Sequence, residues 1–408
     1  MPYVSRPQYE EQLKHLRNTE DIKVLMGVRR CGKSTLLEWL RDSLTTEGVA
    51  QENIFYRRMD MFGMPLNPDA QWLSNELADA LEFADKSRPF YVLLDEIQCV
   101  TDWEKVVRQL HTRQNTDVYL TGSNAYVLSS DLATLIGGRY VEIKVMPLSF
   151  KEFLDFAKNY EIDFKNNDDA FATYLRFGGM PAIFHLRNFN QQEIAQLLKT
   201  IYETVILNDV AARTGVSDID LLSKLVRYVF TTSGSLFSSN KIANTLTSFG
   251  RKTKPNTIDG YLKALEDALI LSRCEQAGLA GKEILRPQSK FYPVDNGLRN
   301  LMSNFAPDNT GYQLENLVHN ELVRRGYTVS IGTLRAGEID FIADKPQGRT
   351  YVQVTESMID PQTYQREITP LETLTDSWPK VVITLDRANC GTTQTGIRII
   401  NAIDWLLQ

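Results

Sequence analysis

The chain has 408 residues, more than one ordinary hydrophobic core organises, so roughly two to four domains are expected. Its formal charge of -6 excludes a global attraction to nucleic acid and leaves only local basic patches for such a partner. A hydrophobic content of 43% with 24% charged residues excludes a largely disordered chain.

The four cysteines, Cys31, Cys99, Cys274 and Cys390, are widely separated and form no CxxC pair, which fits reduced thiols rather than a zinc or redox centre. The first residues, Met1-Pro2-Tyr3-Val4-Ser5-Arg6-Pro7, lack the apolar core of a signal peptide, and no stretch approaches the ~20 apolar residues of a membrane span. A cytoplasmic location without membrane contact is expected.

From residue 22 to about 145, short β-rich runs (22–26, 54–58, 90–94, 118–120 and 140–145) alternate with helical patterns such as 34–44 and 72–83. That alternation predicts an α/β fold with a parallel sheet covered by helices. The first run leads into Gly27-Val28-Arg29-Arg30-Cys31-Gly32-Lys33-Ser34, which fits G-x-x-x-x-G-K-[ST] between a strand and a helix. In such a loop the backbone N–H groups of Gly27, Arg30, Cys31 and Gly32 can surround phosphate oxygens at a helix N-terminus, where the dipole favours negative charge. Lys33 then reaches the β- and γ-phosphates, Ser34 ligates Mg²⁺ and Thr35 bonds the α-phosphate. A nucleoside triphosphate and Mg²⁺ are the expected ligands.

The run 90–94 ends in Asp95-Glu96, about 60 residues after the loop, as the partner strand of a P-loop domain does. Asp95 is placed to hold Mg²⁺ through a water ligand, and Glu96 to accept a proton from attacking water. Thr121-Gly122-Ser123-Asn124 closes the next strand, where Asn124 could contact the γ-phosphate, although turn chemistry alone also accounts for an asparagine there. Arg139, after Gly137-Gly138, could supply transition-state charge to its own site or a neighbour's, or simply be a surface arginine.

After residue 150 the strands disappear and helical spacing dominates, broken by Gly178-Gly179-Met180-Pro181. Residues 240–249 and 257–268 read as amphipathic helices around a basic turn with Arg251, Lys252 and Lys254, followed by the β-like run 270–274: a helix-turn-helix with a wing. The three basic residues offer contacts to DNA phosphates, while Glu266 and the aspartates of the second helix favour a packing or protein-partner surface. From about residue 312 a helix precedes runs at 328–331, 338–342, 351–354 and 380–384, a further α/β unit. Three regions are therefore expected: 1–150, 151–300 and 301–408.

The loop with its double arginine, Leu94-Asp95-Glu96-Ile97-Gln98 followed by Asp102-Trp103, Thr121-Gly122-Ser123, Gly138-Arg139 and Pro147-Leu148-Ser149-Phe150 resemble the prokaryotic AAA-type ATPases related to the archaeal ATPase and STAND groups. The resemblance runs over nearly the whole chain. It implies an additional-strand core with the sensor strand 118–120 between the phosphate-loop strand and the Asp95 strand. It also implies a winged helix and a C-terminal domain with a PD-(D/E)xK nuclease-like fold, an adenine nucleotide, a sensor role for Asn124 and a finger role for Arg139. Such a nuclease needs acids for Mg²⁺ and a lysine. Here Glu315 lies on the preceding helix and Asp340 matches the first strand acid, but Gln353 and Thr355 stand where the second acid and the lysine belong. Glu338 or Glu356 could replace a ligand; retention of the fold for binding, without nuclease activity, is the preferred expectation.

Three functions follow as alternatives: an ATPase whose nucleotide state controls the later domains, an ATP-regulated DNA-binding protein or nuclease, and a signalling or defence scaffold for a protein partner. Oligomerisation is compatible with each.

Overall fold

The structure, a computed structural model, describes residues 3–123, 138–186, 189–211, 218–278, 289–306, 309–334 and 337–408, without the side chains of residues 207 and 208. The chain forms two compact units, Met1–Met146 with Asp267–Leu269, and Pro147–Glu266 with Ile270–Gln408.

Unit 1 contains strands β1 (Ile22–Met26), β2 (Ile54–Arg58), β3 (Phe90–Asp95), β4 (Thr116–Gly122) and β5 (Tyr140–Lys144), with helices α1 (Pro7–His15), α2 (Lys33–Thr46), α3 (Ala70–Phe83) and α4 (Trp103–His111). Every strand pairing is parallel, in the order β2-β3-β4-β1-β5. The sensor strand β4 thus lies between β1 and β3, as the resemblance implied. All residues of β1 and β3 are buried, the signature of central parallel strands covered on both faces. On α4, Trp103, Val106, Val107 and Leu110 are buried, and their spacing places them on one face against the core.

Polar groups fix the end of the sheet remote from the phosphate loop. Lys23 Nζ lies 2.6 Å from Asp117 Oδ1, with both side chains essentially excluded from water. The same ammonium donates to the Thr19 carbonyl at 2.9 Å, while Asp117 Oδ2 accepts from the Asn18 N–H at 2.7 Å and the Tyr119 hydroxyl at 3.1 Å. Complete pairing lets the two charges sit in the interior.

Unit 2 begins with α5 (Phe150–Asn159), started by a reciprocal Ser149–Glu152 capping box, and α6 (Asn167–Phe177). Phe150, Phe153, Phe171 and Tyr174 pack their rings between the two helices. Next come α7 (Gln191–Thr204), α8 (Ile219–Thr231), α9 (Ser239–Ser248) and α10 (Pro255–Asp267). An antiparallel ladder of β6 (Leu271–Glu275) with β7 (Ser289–Pro293) follows the helix pair. Beyond α11 (Asn296–Leu301) and α12 (Thr310–Arg324) lies a second sheet made of β8 (Thr328–Leu334), β9 (Gly337–Lys345), β10 (Gly348–Thr355), β11 (Lys380–Thr384), β12 (Gly391–Thr392) and β13 (Arg398–Asn401). Its order is β12-β13-β11-β10-β9-β8: β8, β9 and β10 pair antiparallel, whereas β10, β11 and β13 run parallel. Helix α13 (Pro361–Glu372) packs on this sheet, and α14 (Ala402–Leu406) ends the chain.

Candidate functional site: a phosphate loop facing a buried carboxylate

The loop runs from the end of β1 into α2. Gly32 stands at the N-cap of α2 with φ +106°, and Arg30 also takes a positive φ of 66°. Gly27 is required for a different reason, since a Cβ there would meet the Val145 carbonyl oxygen at 2.0 Å and the Cys31 sulfur at 2.7 Å. Cys31 is buried under the loop with its thiol donating to that same carbonyl at 3.2 Å. Arg30 and Thr35 are exposed, and Lys33 is buried. The Lys33 ammonium curls over the loop, 2.8 Å from the Gly27 carbonyl and 3.3 Å from that of Val28.

Opposite the loop, β3 ends in Asp95, which is fully buried. Its Oδ1 accepts from Ser34 Oγ at 3.0 Å and from the Thr121 hydroxyl. Among the described residues its Oδ2 has no hydrogen-bond partner, and Arg58 Nε stands 3.7 Å away. Burial holds the Asp95 carboxyl above the ordinary carboxylate range, with the Thr121 and Ser34 hydroxyls pulling in the opposite direction. A buried carboxylate oxygen in want of a partner, next to a serine hydroxyl at a helix N-terminus, is the all-oxygen environment that suits Mg²⁺.

Glu96 is held in the left-handed region, φ 54° and ψ 49°, a conformation uncommon for glutamate. Its N–H donates to Thr121 Oγ1 at 2.8 Å, and its carboxylate accepts from the Gln98 side chain, which also reaches Ser123 Oγ at 3.4 Å. Thr121, read from sequence only as part of a strand-end turn, therefore joins Asp95 to Glu96. Asn124 lies outside the described residues.

Arg139 is not brought to this group of residues. Its carbonyl accepts from the Ile22 N–H at 3.2 Å, and Tyr140 pairs with Ile22, so it stands at the end of the sheet opposite the loop. Its exposed guanidinium lies 3.5 Å from His111 Nε2.

Unit 2 gathers a second polar group. Glu315 from α12 accepts from the Tyr292 hydroxyl at 2.7 Å and from Lys290 Nζ at 3.2 Å. Lys290, buried on β7, also pairs with Glu338 and lies 3.9 Å from Asp340. Asp340 Oδ2 accepts from the Val354 N–H at 2.8 Å, and Gln353 donates to Glu367 of α13 at 2.7 Å. Burial raises the Glu315 and Asp340 carboxyls. Burial alone would lower the Lys290 ammonium, but the carboxylates of Glu315, Asp340 and Glu338 outweigh it and raise it. The cation in this cluster comes from a strand the sequence motif does not include, while Thr355 donates to the Ser357 carbonyl at 3.2 Å. Glu356 is exposed.

At the turn between α9 and α10, Arg251 is engaged internally, with Nη1 2.6 Å from Asp220 and Nη2 2.6 Å from Asp218 Oδ2. Lys252 is exposed and Lys254 is exposed beside it. Among the described residues no helix is long and apolar enough to cross a membrane.

Comparison with known proteins accords with this geometry. A family model described as an AAA domain matches residues 19–154, and one described as a domain of unknown function, DUF8612, matches residues 168–309. An uncharacterised protein of Haemophilus influenzae is 40% identical over 405 residues, 99% of both chains. The uncharacterised protein MJ1544 of Methanocaldococcus jannaschii is 30% identical over 75% of this chain and 67% of its own. Among solved structures, the Walker-type ATPase PABY2304 of Pyrococcus abyssi is similar in fold, with a TM-score of 0.53 at 15% identity, covering 74% of this chain and 96% of that one. With its parallel sheet, its phosphate loop and these relatives, the chain belongs to the AAA-domain family of P-loop ATPases.

Proposed function

We propose that the protein is a Mg²⁺-dependent ATPase whose nucleotide state controls unit 2. The observation that carries this reading is the convergence of Lys33, Ser34 and the partner-seeking Asp95 oxygen at the N-terminus of α2. Gly27, Arg30, Cys31 and Gly32 would present backbone N–H groups to the phosphates, with Thr35 toward the α-phosphate. Ser34 directly and Asp95 through water would hold Mg²⁺, which when bound supplies positive charge to the β- and γ-phosphate oxygens.

Hydrolysis is read as in-line attack of water on the γ-phosphate. Glu96, turned out of the strand direction by its left-handed backbone, accepts the proton, and the Lys33 ammonium stabilises charge on the transferring group. Asn124 would act as the sensor of the γ-phosphate. Arg139, at the far end of its own sheet, fits a finger role only toward a neighbouring copy. Substituting Lys33 by Ala removes the phosphate contact and is expected to abolish ATP binding, measured by equilibrium titration with Mg²⁺-ATP; undiminished binding would overturn the reading.

Control of unit 2 is supported by chain connection. Val145 N–H donates to Met26 O at 2.6 Å, immediately before the loop, and the chain leaves unit 1 one residue later. The α9–α10 pair with the β6–β7 ladder supports a winged-helix reading. The engagement of Arg251 with two aspartates weighs against DNA phosphate contact there, leaving Lys252 and Lys254, and favours a protein partner. Loss of a gel shift on replacing the two lysines would restore the DNA reading. The α12 to β11 region supports a nuclease-like fold, with Gln353 replacing an acid and Lys290 already paired with carboxylates. We read it as a binding domain; Mg²⁺-dependent DNA cleavage abolished in Asp340→Ala would contradict that.

A further inference from the structure

The segment before α1 carries a buried guanidinium that the phosphate-loop account leaves unused. We propose that Arg6 is a positioning residue for nucleotide binding, which fixes from behind the peptide that presents its N–H to the phosphates. This rests on the ATP-binding reading above.

Arg6 is only 3% exposed. Its Nη1 donates to the Cys31 carbonyl and its Nη2 to the Met146 carbonyl, each at 2.9 Å. The guanidinium lies over the Tyr9 ring, 4.5 Å from its centroid, and the Tyr9 hydroxyl accepts from the Met146 N–H at 3.0 Å. The segment is itself held in place, because Glu10 accepts from the Arg6 N–H at 2.7 Å, the Ser5 hydroxyl at 2.7 Å and the Tyr3 hydroxyl at 2.6 Å.

The peptide whose oxygen Arg6 holds is the one joining Cys31 to Gly32. Its oxygen and the Gly32 N–H lie in one plane and point in opposite directions, so anchoring the oxygen behind the loop directs the N–H forward. That peptide needs an anchor: Gly32 sits at φ +106°, and a peptide that leads into a glycine has little intrinsic bar to turning over. A turned peptide would aim an oxygen at the phosphates. The hydrogen bond from a charged donor also polarises the peptide and makes its N–H a stronger donor. A Cβ at Gly32 would lie 3.5 Å from Arg6 Nη1, so the positive charge itself is close behind the loop.

The rigid planar fork presents its two arms to two separate carbonyls in a fixed geometry. Lysine keeps the charge but is a point donor on a flexible stem. The second arm, on Met146, braces the guanidinium against the segment that already underlies Gly27 and Cys31 through Val145.

The test measures binding of a fluorescent ATP analogue with Mg²⁺ to the full chain, comparing the natural protein, Lys33→Ala, Arg6→Lys and Arg6→Ala, each shown by circular dichroism to be folded at the measuring temperature. Binding by the natural protein, lost in Lys33→Ala, upholds the nucleotide reading independently of Arg6. Given that, Arg6→Ala is expected to weaken binding about tenfold, as loss of a charge-assisted hydrogen bond would. Methylguanidinium should recover part of this loss and methylammonium none, while Arg6→Lys should bind several-fold more weakly than the natural protein. Should Arg6→Ala fail to fold, Arg6→Lys decides alone. Natural affinity in folded Arg6→Lys, or a loss in folded Arg6→Ala that methylguanidinium leaves untouched, would overturn the proposal.

Discussion

Asp95, proposed above to hold Mg²⁺, illustrates how a site residue can cost stability. Its carboxyl is raised above the ordinary range mainly by burial, so the folded state binds its proton more tightly than the unfolded chain does. The stabilising effect of that proton is complete below the ordinary aspartate value and is lost as pH rises through the raised one. At neutral pH an ionised Asp95 therefore opposes folding unless a cation compensates it. Asp95→Asn should melt at a higher temperature than the natural protein without nucleotide at pH 7.5, lose that advantage in acid, and lose Mg²⁺-dependent ATP binding. An unchanged or lower melting midpoint at pH 7.5 would show that the desolvation argument is wrong. Lys23 presents the opposite case, a buried charge whose partner is in place. Lys23→Met leaves Asp117 buried without its cation and should cost about 3–5 kcal/mol in chemical denaturation, much of it recovered in Lys23→Met with Asp117→Asn. The placement of Lys33, Ser34 and Asp95 at one end of the sheet was legible in the sequence, because motif spacing encodes it. The contacts of Thr121 and Arg6 were not legible, because they cross the sheet or come from outside the motif.

Among the elements, the central strands of unit 1 were readable because strands buried on both faces appear as largely apolar runs, whereas the edge strands β2 and β5, only partly buried, were readable from their β-rich composition. In unit 2, β7 escaped notice: Ser289-Lys290-Phe291-Tyr292-Pro293 is fully buried yet carries a lysine and ends in proline, so its pattern does not announce a strand. With it went the source of the cation among Glu315, Glu338 and Asp340. The Gly178-Gly179 turn was legible as a turn, but its cause lies more than a hundred residues onward. Asp295 accepts from the Gly179 N–H at 2.7 Å and the Leu298 N–H at 3.0 Å, and a Cβ on Gly178 would meet its carboxylate at 2.2 Å. Burial pushes Asp295 up to about 6, against the pull of those N–H groups. Its folded value is raised, so its contribution is full below the ordinary aspartate value and disappears as pH climbs through about 6. The shift corresponds to about 3 kcal/mol. The urea stability of the natural protein should fall between pH 4 and 6 relative to Asp295→Asn, and parallel pH profiles for the two would contradict the assignment.

For the molecule as a whole, an AAA-domain unit precedes a larger unit that contains both a helix pair with a two-stranded ladder and a six-stranded sheet. The P-loop fold could be read from sequence because phosphate chemistry constrains short, contiguous motifs. The task of unit 2 could not, because Gln353, Thr355 and the engaged Arg251 depart from the simplest nucleic-acid chemistry, and their contacts come from other segments. The most direct test of the central claim is Mg²⁺-dependent phosphate release from ATP by the full chain, measured beside Lys33→Ala and Glu96→Gln. The account predicts turnover by the natural protein, none by Lys33→Ala, and in Glu96→Gln retained ATP affinity with release slowed by roughly a hundredfold or more, the contribution expected of a general base. Phosphate release by Lys33→Ala or Glu96→Gln at the natural rate would contradict it.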